Sequence, residues 1–173
     1  MRKTLIAATL LCAATAAWAH GPMHQKVTET ITIAAPPEAV WERVKDFAAL
    51  QSWHPAIESS RATAGNEVGS VRTLTLKGGG RIVEELTRYS AEERRLTYKM
   101  TDPGPVPVTN YSSTLNVLPG DGGTTLVEWK AGFYRGEPNN NPPPERNDEA
   151  AIAAVTGIYK AGLDNLKKLA EGK

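Results

Sequence analysis

Residues 40–55 read VWERVKDFAALQSWHP, and this stretch indicates the architecture of the whole chain. Its apolar residues recur at helical spacing, which predicts a short helix, and a second short helix is predicted over residues 48–51. Pro55 disfavours helical geometry at His54, so any helix must end before this point. One isolated strand precedes the stretch, a series of strands follows it, and one long helix closes the chain. This order predicts an α+β fold in which a curved antiparallel sheet wraps around the last helix, with an apolar hollow between them.

The N-terminus has the pattern of a secretory signal peptide. The chain opens with two basic residues after the initiating methionine, residues 4–18 are largely apolar, and residues 17–19 (AWA) match a small-x-small cleavage site. We therefore expect residues 1–19 to be removed, so that the mature protein begins at His20 in the periplasm. Two other interpretations are a lipoprotein signal ending at Cys12 and a hydrophobic helix that belongs to the fold.

Composition argues against several classes of function. Residues 20–173 have a suitable length for one domain with its own core. Loss of Arg2 and Lys3 would leave 18 basic residues against 19 acidic ones, a balance that favours neither nucleic acid nor an anionic membrane as a partner. The one cysteine, Cys12, lies in the predicted signal peptide, so we expect no disulfide and no thiol nucleophile. No later segment is long and apolar enough for us to expect membrane insertion after cleavage.

Alternating β-branched residues predict the first strand over residues 26–34. Two glycine-rich segments, 77–80 and 119–123, predict hairpin turns between later strands. The sheet is expected to have about six or seven strands, and the later ones are predicted over residues 71–76, 81–89, 94–101, 111–118 and 124–133. An apolar stripe at helical spacing predicts the long helix over residues 145–170.

The period of two along each strand predicts one apolar face of the sheet. The last strand is the clearest case, because Glu128 and Lys130 occupy its opposite face. An aromatic inner face covered by one helix either packs solidly or leaves a pocket. The residues predicted for a ligand cavity are Trp53, His54, Arg72, Leu74, Glu84, Leu86, Tyr98, Met100, Tyr111, Ser113, Trp129, Phe133 and Tyr159.

Arg72 and Glu84 are charged, yet the alternation places both on the apolar face. If the hairpin register brings them together, an ion pair limits the cost of their burial. Such a pair could anchor a carboxyl, hydroxyl or carbonyl group of a ligand at the cavity floor. The more common alternative is a structural ion pair at the strand ends.

Trp53 and His54 are expected at the cavity mouth, where the short helices meet the sheet. His54 could act as a general acid or base, because imidazole titrates near neutral pH. A single histidine beside a tryptophan is more often a packing and hydrogen-bonding residue. His54 and Glu84 could also form an acid/base couple, but this pairing depends on the predicted fold, and no catalytic residue is assigned.

The predicted mature N-terminus offers a weak metal site. Its sequence from His20 to His24 supplies a free amine, two imidazoles and a thioether, a set that could bind copper. Two histidines on a terminal segment are more often part of an unstructured leader. No cofactor is predicted from the sequence.

Several short motifs along the chain resemble the SRPBCC superfamily, whose START, Bet v 1-like and polyketide cyclase-like members share the helix-grip fold. The motifs lie at residues 35–41, 46–47, 53–55, 69–72, 82–86, 96–98 and 125–129. Each motif is loose by itself, and their order carries the resemblance. The resemblance implies a helix-grip fold over nearly all of the mature chain.

Within this superfamily the chain resembles the exported MxaD-like proteins of methanol-oxidising bacteria. The segments that carry this resemblance are the signal peptide and residues 20–22, 107–113, 133–136, 139–145 and 154–163. The resemblance implies a periplasmic protein that assists methanol dehydrogenase in that enzyme's contact with its cytochrome c acceptor, and it implies no catalytic residues. In the loop over residues 134–144, we expect Tyr134, Arg135, Asn139 and Asn140 to contact such a partner. The alternative is a loop that only caps the mouth of the cavity.

Three functions follow, in decreasing order of support. The first is a non-enzymatic periplasmic accessory protein of methanol oxidation whose cavity holds a small hydrophobic molecule. The second is a periplasmic binding protein for a lipid or a polyketide-like molecule. The third is a cyclase-like or dehydratase-like enzyme that uses His54 or Glu84.

Overall fold

The structure, a computed structural model, describes residues 21–172 of the 173-residue chain. The predicted signal peptide and His20 lie outside the described residues. The strands are β1 (Gln25–Ile33), β2 (Ile57–Ala62), β3 (Val71–Leu76), β4 (Arg81–Ser90), β5 (Arg95–Asp102), β6 (Val108–Pro119) and β7 (Thr125–Arg135). The helices are α1 (Pro37–Val44) and α2 (Asp148–Glu171), with short 3-10 helices at Phe47–Ser52, Asp121–Gly123 and Pro144–Arg146.

Two short helices follow β1, as the sequence predicts. Pro37 opens α1, where its fixed φ suits the first turn and its missing N–H is not needed. The 3-10 helix begins after Asp46, whose side chain accepts a hydrogen bond from the backbone N–H of Ala48 at 2.8 Å. The second helix ends at Ser52, so Trp53 and His54 lie in the turn that leads to β2.

Helix α2 has a capping residue at each end. Asn147 Oδ1 accepts from the backbone N–H of Ala150 at 2.8 Å, which satisfies one of the free donors of the first turn. Gly172 takes the left-handed conformation, with φ of 70°, that ends many helices. The prediction began α2 three residues early, because residues 144–146 form a separate 3-10 turn.

All seven strands form one antiparallel sheet in the order β1-β7-β6-β5-β4-β3-β2. Helix α2 packs against β1 and β7, so the sheet curves around it. The predicted α+β helix-grip architecture is confirmed. No helix within residues 21–172 has the length and apolar character needed to cross a membrane.

Strand β2 is the element that the sequence analysis missed. Its sequence, IESSRA, has one large apolar residue, Ile57, so an alternating pattern is not visible. The strand forms at the sheet edge by pairing with β3, and its register shifts between Ile57 and Ser59. The strand therefore forms because it pairs with β3, and no local sequence pattern predicts it.

The aromatic rows of the inner face are buried, as predicted. Tyr98, Tyr111 and Trp129 are each no more than 3% exposed. Leu76 and Met100, which the same alternation places inward, are only half-buried. These two residues mark the part of the interior that is not filled by side chains.

Candidate ligand-binding cavity

A cavity of about 380 Å³ lies between the inner face of the sheet and α2. This volume falls within the range of about 300–1,000 Å³ that small-molecule sites occupy. Its lining residues are Leu50, His54, Ala56, Ile57, Leu74, Leu76, Gly78, Gly79, Ile82, Glu84, Tyr98, Met100, Pro105, Val106, Tyr111, Trp129 and Ile158. Most of these side chains are apolar, so an apolar ligand would gain from leaving water.

The cavity reaches the surface between the β3–β4 turn and the loop from β5 to β6. Gly78, Gly79 and Pro105 line the cavity and are exposed. The two segments touch, since a Cβ at Gly80 would lie 3.2 Å from the Pro105 ring. At Gly104, where φ is +55°, a Cβ would lie 2.0 Å from the Arg81 carbonyl oxygen, so this close approach requires glycine.

The Arg72–Glu84 ion pair stands in the wall of the cavity. The two residues are directly opposed in the β3–β4 hairpin and are 3% and 2% exposed. Arg72 Nε donates to Glu84 Oε2 at 2.9 Å, and Nη2 donates to the same oxygen. Arg72 Nη1 donates to the Phe47 carbonyl at 2.9 Å, and the guanidinium carbon lies 4.1 Å from the Phe47 ring centre. Each nitrogen of Arg72 therefore has a protein partner, while Glu84 lines the cavity.

A hydrogen-bonded network of hydroxyl groups lies under the aromatic part of the cavity. Ser113 Oγ donates to the Lys130 carbonyl at 3.1 Å, so its contact with Tyr159 at 2.6 Å is one in which the tyrosine donates. Tyr111 must then donate to Tyr159, because Tyr159 has used its own hydrogen. Trp129 Nε1 donates to Ser113 Oγ at 3.0 Å. The direction of the network leaves the lone pairs of Tyr111 as acceptors.

Tyr98 connects this network to the ion pair. Its hydroxyl accepts from Trp129 Nε1 at 3.0 Å, and its ring lies 5.1 Å from the Arg72 guanidinium carbon. Burial, with a smaller contribution from the Glu84 charge, raises the pKa of Tyr98 to about 12. Burial likewise raises the pKa of Tyr111 and of Tyr159 well above the ordinary value. All three tyrosines therefore keep their protons near neutral pH.

His54 is buried, at 2% exposure, and both of its ring nitrogens have backbone partners. Nε2 donates to the Ile158 carbonyl at 2.9 Å, and Nδ1 accepts from the Ala56 N–H at 3.3 Å. Burial lowers its pKa, and the nearby Arg72 charge lowers it further. The neutral ring thus fastens the turn before β2 to the middle of α2.

Gly162 makes room for this arrangement. A Cβ at this position would lie 2.6 Å from His54 Cδ2 and 2.8 Å from Trp129 Cζ3. Glycine therefore lets α2 approach the two rings closely. Glycine inside a strongly helical pattern is a sequence signal for such a contact, although α2 has two glycines, and Gly157 has open space around it.

The predicted cavity residues divide into a lining set and a supporting set. The lining set is His54, Leu74, Glu84, Tyr98, Met100, Tyr111 and Trp129. The supporting set, buried but behind the cavity wall, is Trp53, Arg72, Leu86, Ser113, Phe133 and Tyr159. Trp53 and His54 lie deeper than the predicted mouth position, since they are 4% and 2% exposed.

Other lining residues were not placed in the predicted site. Leu76 and Ile82 share the inward face of the β3–β4 hairpin with Leu74, and both line the cavity. Pro105 and Val106 come from a loop whose position no periodicity indicates, and Ile158 comes from a half-buried face of α2. Their assignment requires the packed fold.

Arg135 is buried beneath the predicted partner loop. This position corrects the prediction that Arg135 is a contact residue. Arg135 is 4% exposed, and its guanidinium donates to the carbonyls of Glu137 and Asn139 and to Asp148 Oδ2. Tyr134 is half-buried, whereas Asn139 and Asn140 are exposed. The exposed asparagines therefore remain available as contact residues, and Arg135 instead shapes the loop.

Within residues 21–172, no group of three histidine, cysteine, aspartate or glutamate residues is placed to hold a metal ion. Of the two histidines in the weak copper prediction, His20 lies outside the described residues. His24 is exposed, and its ring centre lies 5.3 Å from that of Tyr134 in an edge-on contact. The copper site stays a prediction.

Comparison with solved structures identifies similar proteins of the same fold. The protein XoxI from Bacillus cereus is 37% identical over 83% of this chain and 94% of its own length, with a TM-score of 0.72. The Zhui aromatase/cyclase from Streptomyces sp. R1128 is 17% identical over 86% of this chain and 94% of its own, with a TM-score of 0.68. Norcoclaurine synthase from Thalictrum flavum, in complex with dopamine and hydroxybenzaldehyde, is 17% identical over 97% and 96%, with a TM-score of 0.65.

The two neighbours that are 17% identical show the fold, whereas a match to a family profile shows the family. A profile of the family described as "polyketide cyclase / dehydrase and lipid transport" matches residues 24–171, which include every residue of the cavity lining. The chain therefore belongs to the polyketide cyclase/dehydrase and lipid transport family, within the SRPBCC superfamily.

Proposed function

We propose that this protein is a non-enzymatic binding protein for a small, mainly apolar molecule, which it holds in the cavity between the sheet and α2. The observation that carries this proposal is the lining of the 380 Å³ cavity, in which a few polar groups interrupt a mostly apolar wall. An apolar wall supplies affinity, and the few polar groups orient the ligand.

The geometry favours binding over catalysis. His54 has a backbone partner at each ring nitrogen, so it would have to break a hydrogen bond before taking or giving a proton. Glu84 Oε2 accepts two hydrogen bonds from Arg72, so this oxygen would have to leave its ion pair before it transferred a proton. The cyclase-like or dehydratase-like alternative therefore has less support than ligand binding.

The test is saturable binding of the fluorescent probe N-phenyl-1-naphthylamine. Met100→Trp would place a large ring in the space beside half-buried Met100 and should weaken binding at least tenfold. Val68→Trp, at a residue that is 65% exposed and outside the cavity, is the matched control and should bind like the wild type. Absence of saturable binding to the wild-type protein would reject the proposal.

A second, more specific proposal concerns the cellular role of the protein and its partner. The resemblance to exported MxaD-like proteins supports a periplasmic accessory role in methanol oxidation, with methanol dehydrogenase or its cytochrome c as partner. The exposed Asn139 and Asn140, on the loop that Arg135 holds in place, form the contact surface in this proposal.

Calorimetric titration of methanol dehydrogenase and of its cytochrome c into this protein tests the accessory role. The double substitution Asn139→Ala and Asn140→Ala should weaken the interaction without changing the melting temperature, because both side chains are exposed. Val68→Ala serves as the surface control. If neither protein binds at concentrations up to about 100 μM, the accessory role is wrong, while ligand binding by the cavity is unaffected.

A further inference from the structure

We infer that the ligand carries a neutral hydroxyl group, of the alcohol or phenol class, and that this hydroxyl donates its hydrogen bond to Glu84 Oε1. The inference rests on the proposed function, since it names the chemical class that the same cavity accepts. It also selects one of the three groups, carboxyl, hydroxyl and carbonyl, that the sequence left open for the Arg72–Glu84 pair.

The hydrogen bonds of the ion pair fall on only one of the two Glu84 carboxylate oxygens. Arg72 directs Nε and Nη2 to Glu84 Oε2, and Nη1 to the Phe47 carbonyl. Arg72 is absent from the cavity lining, whereas Glu84 is part of it. Within the described residues, the other carboxylate oxygen, Oε1, receives no hydrogen bond from a side chain or from the backbone. The pair therefore presents an acceptor to the cavity and keeps its donors in the wall.

The charge balance of the Arg72–Glu84 pair disfavours a charged ligand group beside Oε1. A ligand carboxylate would place a second anion beside Oε1 without reaching the guanidinium, and like charges at short distance repel. A ligand ammonium would add a cation to a pair that Arg72 has already neutralised, which leaves one buried charge in excess. A ligand carbonyl or ether has no hydrogen to donate to Oε1. A neutral hydroxyl avoids all three penalties.

The other polar groups in the cavity lining offer a ligand mainly hydrogen-bond acceptors. The hydroxyl network ends with Tyr111 donating inward, so the Tyr111 oxygen faces a ligand as an acceptor. Both nitrogens of His54 and the Nε1 of Trp129 are occupied by protein partners. Tyr98 accepts from Trp129 and also has a side-chain hydrogen bond with Ser113, so its hydroxyl has protein partners of its own. The lining therefore offers mainly acceptors to a ligand, which matches a group that donates a hydrogen.

The test compares ligands on one apolar skeleton with the unchanged protein. The ligands are n-butylbenzene, 4-butylphenol, 4-butylanisole and 4-butylbenzoate, measured at pH 7 by displacement of N-phenyl-1-naphthylamine. A hydrogen bond to a charged group is worth about 1.5–3 kcal/mol, so 4-butylphenol should bind at least about tenfold more tightly than 4-butylanisole. The benzoate should bind more weakly than the anisole.

The outcomes separate this inference from the function on which it rests. Equal affinities for the phenol and the anisole, or tighter binding of the benzoate, would overturn the hydroxyl assignment while leaving apolar binding intact. Failure of all four ligands to displace a bound probe would also overturn it. Failure of the probe itself to bind would reject the proposed function and this inference together.

A protein variant locates the acceptor. Glu84→Gln alone leaves Arg72 buried without its charge partner and could unfold the domain, so the paired substitution Arg72→Met with Glu84→Leu is preferred. This variant should lose the preference for the phenol over the anisole, with its fold checked by circular dichroism. A preference retained in a folded paired variant would contradict the assignment of Glu84 Oε1.

Discussion

Within residues 21–172, two arginines, Arg72 and Arg135, are buried and ion-paired, and they stabilise different parts of the molecule. Arg72 places two hydrogen bonds on one oxygen of Glu84 and packs between aromatic rings in the cavity wall. Arg135 divides its hydrogen bonds between Asp148 and two carbonyls of the loop before α2. The first pair leaves a carboxylate oxygen for a ligand, whereas the second shapes a surface loop.

The sequence analysis placed Arg72 in a strand and Arg135 in a loop, and it predicted only Arg72 to face the interior. In the structure both arginines lie in strands, since Arg135 is the last residue of β7, and both are buried. The carboxylate partners explain the difference: Glu84 lies directly across a hairpin, while Asp148 belongs to the first turn of α2. The Glu84 side chain is 3% exposed, whereas the Asp148 side chain is 17% exposed.

The largest expected effect is on the cavity side of this comparison. Glu84→Ala leaves the Arg72 charge buried without a partner, so we expect the free energy of unfolding to fall by about 3–5 kcal/mol in urea denaturation. The paired substitution Arg72→Met with Glu84→Leu should cost much less. A Glu84→Ala variant as stable as the wild type would show that the pair is not as desolvated as its 2–3% exposure indicates.

The next effect concerns the close approach of α2 to the same wall. Gly162→Ala would place a methyl group 2.6 Å from His54 Cδ2, so overpacking should lower the free energy of unfolding by about 1–3 kcal/mol. Gly157→Ala is the matched control on the same helix, because that position has open space around it and should gain stability from helix propensity. The comparison fails if both substitutions change the melting temperature in the same direction.

A smaller effect is expected on the Arg135 side. Asp148→Ala removes one charge-assisted hydrogen bond, but Arg135 keeps its two carbonyl partners, and the Asp148 side chain is 17% exposed. We expect a loss of about 1–2 kcal/mol, faster proteolysis of the loop over residues 136–147, and unchanged affinity for a cavity ligand. A loss as large as that of Glu84→Ala would remove the distinction between the two pairs.

The smallest expected effect is a pH dependence of the free energy of unfolding, and it arises from His54 in the cavity lining. The pKa of His54 is lowered in the folded protein by burial and by the Arg72 charge. Below pH about 6.5, the ordinary pKa of histidine, His54 therefore binds a proton more readily in the unfolded chain than in the folded protein. The free energy of unfolding then falls as the pH falls from about 6.5 toward the lowered pKa of the folded protein. His54→Gln should flatten this part of the stability curve between pH 7 and pH 5. An unchanged slope in the variant would assign the pH dependence to other groups.

Local sequence patterns predict much of this fold but a smaller part of the ligand-binding cavity. The rows containing Tyr98, Tyr111 and Trp129 follow from alternation, and α2 follows from its apolar stripe. The hairpin register of Arg72 and Glu84 also follows from the short turn between their strands. Each of these predictions depends on neighbours within one element or one hairpin.

The remaining features depend on contacts between distant parts of the chain. The partner of His54 Nε2 is the Ile158 carbonyl, 104 residues away, and nothing near His54 indicates it. Pro105 and Val106 enter the cavity from a loop, and β2 forms only through its pairing with β3. Arg135 was assigned to a contact surface because its burial is decided by the loop that folds over it.

The most direct measurement is a set of intermolecular nuclear Overhauser effects between 4-butylphenol and the methyl-labelled protein. The butyl protons should show contacts to the methyl groups of Leu74, Ile82 and Met100, which line the cavity from three different strands. Contacts only to exposed methyl groups such as those of Val68, or no contacts at saturating ligand, would contradict binding in the cavity.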